Sequence, residues 1–438
     1  MSEQLRLERN LPGVLEDLYL AGTPDYRNDV LAAVARTRQR PAWTFVERWI
    51  PVVDIAIRPA LAGRLPTRAL MLALLVLAFV AAGLLFYIGS QQRELPAPFG
   101  PARNGGVVYA LGGDLYLGDP ATGASRAIVT GAGHDRKPLM SPDGTHVAFL
   151  RTTEGSTADS FELFVSNVDG GELRAISTAN VSDRDPLVWS PDGTFLLLTT
   201  GPGEVLRYDV EGGAPVVIAH SAQVLQGAFQ PPAGLQVLYE TDAGGGLSLG
   251  LMNPDGTGAR TIYAVSGYEN QDGCGFGSAA WSPDGSRIAF LRRPEGDPSQ
   301  CRIFVINADG TGEQQLTTEP GEWTETDFLW SPDGTQIAFD RWHDAEANGD
   351  WQIQPIGVVS ASGGSVRSVG PTPVPDGGAF VWSPDGRSII SVAATVTGWP
   401  PSTTMSQDHP MIIDVATGEA TEATWSISSW PSWQRLAP

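Results

Sequence analysis

Along the last three-quarters of the chain, short apolar runs alternate with turn-forming polar clusters, and one phrase keeps returning. An apolar run leads into Trp-Ser-Pro-Asp-Gly, and another apolar run follows. Copies stand at Trp189 to Gly193, Trp281 to Gly285, Trp330 to Gly334 and Trp382 to Gly386. Weaker ones are Met140-Ser141-Pro142-Asp143-Gly144 and Phe229-Gln230-Pro231-Pro232-Ala233-Gly234. Pro presets the turn, Asp bonds its own following backbone, and Gly takes the left-handed position, so each copy predicts a hairpin. The runs after it, such as Arg287-Ile-Ala-Phe-Leu291 and Gln336-Ile-Ala-Phe-Asp340, predict strands. A third strand then ends in a second turn, as in Ile303 to Gly310, and a fourth follows, as in Glu313 to Thr317. Four antiparallel strands repeated at roughly 40–50 residues predict the blades of a β-propeller.

The pattern Trp-Ser-Pro-Asp-Gly-x-x-Ile-Ala-Phe, followed by Ile-x-Asn-Ala-Asp-Gly-Thr-Gly-Glu, resembles the propeller repeat of TolB-type proteins, most fully over residues 278–317. The resemblance covers residues 105–433. It implies an all-β propeller that acts as a protein-binding module outside the cytoplasm. Related repeats also occur fused to peptidases, whose hydrolase domain follows the propeller. The chain ends at Pro438, so no such domain is expected and the chain is read as not an enzyme.

Seven inner strands are predicted to end at Met140, Trp189, Phe229, Trp281, Trp330, Trp382 and Trp433. Residues 105–130 supply three strands and no inner one. The C-terminal strand, Ser428 to Trp433, is expected to complete that first blade and close the ring, which removes free sheet edges. Seven blades result. Six is the alternative, because the TolB propeller has six and the fourth repeat is degenerate at residues 230–234.

Upstream the pattern changes. Ala69 to Ile88 is a run of twenty residues without a charge, long enough to span about 30 Å of hydrocarbon. It begins too far along the chain, and runs too long, for a cleaved signal peptide. The transmembrane helix is assigned to residues 69–90. Arg48, Arg58, Arg64 and Arg68 precede it, and only Arg93 and Arg103 follow closely. The excess of basic residues before the span places the N-terminus in the cytoplasm and the propeller outside, in a single-pass cell-membrane protein. Residues 1–68 read as a mostly helical cytoplasmic head, 91–104 as a Pro-rich linker, and 105–438 as the propeller.

Composition adds exclusions. The net charge is −21 and Lys137 is the one lysine, which argues against nucleic acid. Cys274 and Cys301 are predicted to meet at one rim of the fifth blade. A disulfide there suits an oxidising compartment, the alternative being two separate buried thiols. The loop Asp344, Glu346, Asn348, Asp350 spaces oxygen ligands like the start of a calcium loop. It lacks the later bidentate Glu, having Pro355 there, so a solvated acidic loop is the competing reading and no cofactor is assigned. Trp342, His343 and Trp351 flank the loop. With Trp323 and Trp399 they are the candidate contact residues. The repeat's own Trp residues read as core. Gly246-Leu-Ser248-Leu-Gly250 matches a nucleophile-elbow spacing but falls within a strand, where that chemistry has no support.

The function expected from this is a membrane-anchored, non-catalytic extracytoplasmic propeller binding a protein, peptide or envelope ligand. The alternative is a transmembrane signalling regulator, akin to anti-sigma proteins, whose head binds a cytoplasmic partner.

Overall fold

The computed structural model describes residues 100–437, apart from 153–160, 182–185, 201–202, 221–223, 243–245, 266–278, 296–299, 319–322, 345–350, 354, 372–378, 393, 398–401 and 406–408. The chain divides into two compact units, Met1–Gln91 and Gln92–Pro438. The predicted head, the span 69–90 and most of the linker lie outside the described residues. Among the described residues no helix is long and apolar enough to cross a membrane.

The second unit is a seven-bladed propeller of antiparallel sheets. Its inner strands are His134–Met140, Leu187–Trp189, Val224–Phe229, Ala280–Trp281, Thr324–Trp330, Ala379–Trp382 and Ser432–Leu436. Six of the seven end on the residue that the repeat marks. The seventh is the closing strand. It pairs with Arg103–Leu111, Val107 opposite Trp433, and so completes the blade begun by the N-terminal strands. It starts later than the sequence suggests because Pro431 has no N–H for the ladder. It runs on to Leu436 because no Ser-Pro-Asp-Gly follows Trp433 to turn the chain. Residues 428–429 still tie to the same partner, the Ala110 N–H donating to Ser429 Oγ at 2.8 Å.

The degenerate copy in the fourth blade also folds as a hairpin. The Gly234 N–H reaches the Gln230 carbonyl at 2.8 Å, and the Gln230 N–H reaches that of Gln236 at 2.8 Å. Val224–Phe229 therefore pairs with Val237–Asp242 as in the other blades, and the count is seven, not six.

The core lies between blades. Each buried apolar cluster among the described residues joins one blade to its neighbour, and the cluster of Val107, Tyr109, Ile390, Val392 and Trp425 joins the last blade to the first. Trp189, Trp281, Trp330, Trp382 and Trp433 are all buried. Burying one such ring stabilises the fold by several kcal/mol, at ~25 cal/mol per Å2 over ~200 Å2. Three of these indoles also stitch neighbouring blades. Nε1 of Trp189, Trp330 and Trp382 donates to the carbonyl of Leu139, Ala280 and Leu329, at 3.0, 3.2 and 3.2 Å. Each acceptor is the residue before the last of the preceding blade's inner strand. Trp281, beside the fourth blade with its degenerate copy, leaves its Nε1 without a partner.

The Ser-Pro-Asp-Gly turns are closed units. In the fifth blade Ser282 Oγ donates to Asp284 Oδ1 at 2.5 Å and accepts the Arg287 N–H at 3.0 Å. Asp284 Oδ1 also accepts the Ser286 N–H at 3.1 Å. Burial favours the neutral acid at Asp192, Asp284, Asp333 and Asp385. Bonds from the Ser hydroxyl and following N–H outweigh it and hold each carboxyl below the usual range. The turns between third and fourth strands press on the preceding blade. Gly310 has φ +88, and a Cβ there would sit 2.0 Å from the Ile262 carbonyl oxygen.

Two outcomes follow. Gly310→Ala is expected to destabilise the protein by about 2–4 kcal/mol, combining left-handed strain with the collision. Gly112→Ala, at φ +64 with nothing within 4 Å, should cost only about 1–2 kcal/mol; equal urea midpoints for the two variants would refute the interblade contact. Carboxyls with lowered folded pKa values add stability that is present above their unfolded pKa, about 3.9, and lost as pH falls towards the folded value. The urea midpoint of the wild type should therefore fall below about pH 4. Asp284→Asn should show a shallower acid limb.

Candidate functional site

Antiparallel blades put two kinds of connection on opposite rims. One rim carries the Ser-Pro-Asp-Gly turns and the turns between third and fourth strands, most of them short and closed by backbone hydrogen bonds. The other carries the connections between second and third strands and from each blade to the next. Several of these are long, among them 266–279, 293–301, 345–350, 370–378 and 406–410. This loop rim is the candidate site, because its side chains are not committed to the repeat.

Several predicted residues fall here. The second strand of the sixth blade, Gln336–Asp344, runs beyond its sheet and pairs with Trp351–Ile353. The registers set Trp342 opposite Ile353, His343 opposite Gln352, and Asp344 opposite Trp351. The structure thus brings Trp342, His343, Asp344 and Trp351 onto one hairpin at this rim. Its tip, with Glu346, Asn348 and Asp350, lies outside the described residues, as do Trp399 and Cys274. Cys301 is buried and disulfide-bonded. Ser248 sits in the third strand of the fourth blade and donates to the Tyr263 carbonyl at 3.4 Å.

Cys301 and Trp323 meet at the seam between the fifth and sixth blades. Arg302, next to Cys301, is buried and donates to the carbonyls of Cys301, at 3.1 Å, and of Trp323, and to Gln300 Oε1. Trp323 is half-buried, with its main chain clasped in this way. Glu325, two residues on, ties the sixth blade to the fifth. Its N–H donates to the Cys301 carbonyl at 3.2 Å. Its Oε2 accepts the Ile303 N–H at 3.0 Å and the Thr317 hydroxyl, and its Oε1 accepts from Arg341 at 3.1 Å. Burial pushes the Glu325 carboxyl up, and Thr317, Arg341, Arg302 and the Ile303 N–H offset part of this.

The second blade repeats the device. Asp135 and Arg151 are cross-strand neighbours, as are Glu325 and Arg341. Arg151 Nε and Nη2 donate to the two Asp135 oxygens at 2.6 and 2.8 Å, while its guanidinium lies 4.9 Å from the Phe164 ring centroid. Burial raises the Asp135 carboxyl and Arg151 draws it back. In turn Asp135 holds Arg151 more firmly protonated. The pattern reading did not find these pairs. The available signal was an acid five residues before the strand-ending Met or Trp, with Arg after the next apolar run. Trp430, 53% exposed, was also missed. It stands two residues before the closing strand.

Seven blades, interblade tryptophans and a closed ring define the class as a β-propeller. More particularly, its repeat is similar to that of TolB-type propellers. Part of the chain is 29% identical over 222 residues to the Tol-Pal system protein TolB of Anaeromyxobacter dehalogenans strain 2CP-C, covering 47% of this chain and 48% of that protein. It is also 26% identical over 181 residues to the uncharacterized peptidase YuxL of Bacillus subtilis strain 168, covering 40% of this chain and 24% of that one. A solved prolyl endopeptidase superposes with a TM-score of 0.52 at 16% identity, over 76% of this chain and 50% of that one, a likeness of fold alone. No family profile matches the chain. The chain spans about half the length of the TolB relative and a quarter of the peptidase. These findings overturn the expectation that the chain is not an enzyme. A peptidase is among its sequence relatives and a peptidase propeller among its structural neighbours, so the repeat does not set it apart from enzymes.

The buried pairs yield a test. Side chains of Arg341 and Glu325 are 11% and 1% exposed. Arg341→Met leaves Glu325 buried without its cation, and should cost about 3–5 kcal/mol in urea unfolding. The double variant Glu325→Leu/Arg341→Met should recover most of that loss. A single-variant cost below about 1 kcal/mol, the range of a solvent-exposed pair, would show that the seam is open to water.

Proposed function

We propose that this protein is a membrane-anchored propeller whose loop rim, held outside the cytoplasm, binds a protein, peptide or envelope ligand. One observation carries the reading: one rim is largely spent on short, closed turns, whereas the other sets long, aromatic-bearing loops on a rigid ring. The uncharged run 69–88 and the basic residues before it support an anchor with the N-terminus inside. The TolB relative supports a protein or peptide ligand. Contact is assigned to the hairpin of Trp342, His343 and Trp351, and to Trp323 and Trp399. The disulfide of Cys301 is assigned to Cys274, which suits an oxidising compartment. Loop 344–350 is left as a solvated acidic loop of the same rim.

The full-length protein tests this. It should sediment with membranes and resist carbonate extraction, and deletion of residues 69–88 should release it. Immobilised in detergent, it should capture a partner from an envelope extract, and Trp351→Ala and Trp323→Ala should weaken capture at least about tenfold, as hot-spot aromatics do. Reductant should lower its unfolding free energy by roughly 3 kcal/mol, from the loop that the disulfide closes. Membrane release of the intact chain, or capture indifferent to both tryptophans, would count against the reading.

A further inference from the structure

The buried carboxylates of the inner and second strands are satisfied, with one exception. Asp135 has Arg151. Glu325 has Arg341, Thr317 and the Ile303 N–H. Glu240 accepts the Ala279 N–H at 3.2 Å. Asp340 is 7% exposed, and its carboxyl has no hydrogen bond or ion pair among the described residues. Its neighbour across the ladder is Thr326, and the next residue, Asp327, is squeezed out of register before Phe328. Asp327 has φ 32, a left-handed conformation that a side chain resists unless something holds it. The corresponding bulge in the second blade carries Lys137, at φ 51, so the bulge itself does not call for an acid.

The bulge sets Asp327 beside Thr326, the residue directly across the ladder from Asp340. Burial, then the charge of Asp327, drives the Asp340 carboxyl well above the usual range, and burial raises Asp327 as well. Asp327 nonetheless exposes surface. Asp340 shares a strand face with Ala338, which packs among Phe380 and Trp382 of the seventh blade. Two like charges, one buried and unpartnered, are unfavourable unless a cation or a proton neutralises them.

We infer that Asp327 and Asp340 form a divalent-cation site at the axial edge of the sixth blade, where it meets the seventh. Its ligands are carboxylate oxygens, which suits a hard ion. Among the described residues no third His, Cys, Asp or Glu joins the pair, so backbone carbonyls and water complete the shell. Calcium tolerates that mixture and irregular geometry better than magnesium does. The site does not depend on the binding function proposed above.

Thermal unfolding of the chelator-treated full-length protein in detergent, titrated with calcium chloride, tests the inference. At a hundredfold excess over Kd the wild-type Tm should rise by roughly 3–6 °C. Asp340→Asn should lose that shift, and in chelator should melt no lower than the wild type, because a buried unpaired charge is gone. Asp327→Gly should also lose the shift, while relief of the left-handed strain keeps its metal-free Tm at or above wild type. Asp344→Asn should keep the full shift. The inference is overturned if the wild type shows no calcium-dependent shift, or if Asp340→Asn or Asp327→Gly retains it. It is equally overturned if Asp344→Asn alone abolishes it, or if only acidification raises the wild-type Tm, the mark of a shared proton.

Discussion

Each blade of this molecule is held by the blade before it. A four-stranded sheet of this length has two apolar faces and no interior of its own, so its side chains are buried only when a neighbour covers them. The recurring tryptophan meets that constraint twice. Its ring fills the seam, and in three blades its indole N–H bonds the main chain of the preceding inner strand. On the outside of the ring, Gly310 lets a turn lie directly on the Ile262 carbonyl of the blade before it. A chain of such dependencies has two unsatisfied ends unless it closes. Ser432–Leu436 closes it by joining the blade that Arg103–Leu111 begins.

Closure separates stability from recognition. Because the seams and the turns of one rim hold the ring, the opposite rim can carry loops of unrelated length and sequence without loosening the core. Beneath that rim, buried acid–arginine pairs fasten the edges of the second and sixth blades. Arg302 and Glu325 anchor the segment that bears Cys301 and Trp323. A peptidase relative and a solved peptidase propeller are among the likenesses of this chain.

The number of blades and the ends of six inner strands were legible because the repeat spells out its turns. Pro, Asp and Gly impose a local geometry wherever they stand together, and the apolar run before them has a fixed phase. Even the degenerate copy at Gln230–Gly234 kept its hairpin. The start of the closing strand was misplaced by a local effect that the repeat does not encode, the missing N–H of Pro431. The candidate site was less legible. The residues of the hairpin Trp342–Ile353 were singled out individually, but only strand pairing sets them opposite one another.

The sequence by itself determined the repeat, its hairpins, the pairing of the two chain ends and the core role of the tryptophans. All of these follow from backbone preference and the periodicity of apolar positions, which act over a few residues. Only the tertiary structure decided which charges are paired. Arg341 and Glu325 lie sixteen residues apart and meet across a ladder, while Asp340 lies one residue from Arg341 and meets no cation among the described residues. Alternation along the strand sends those neighbours to opposite faces of the blade, and on Arg341's face the paired strand of the same blade supplies the acid.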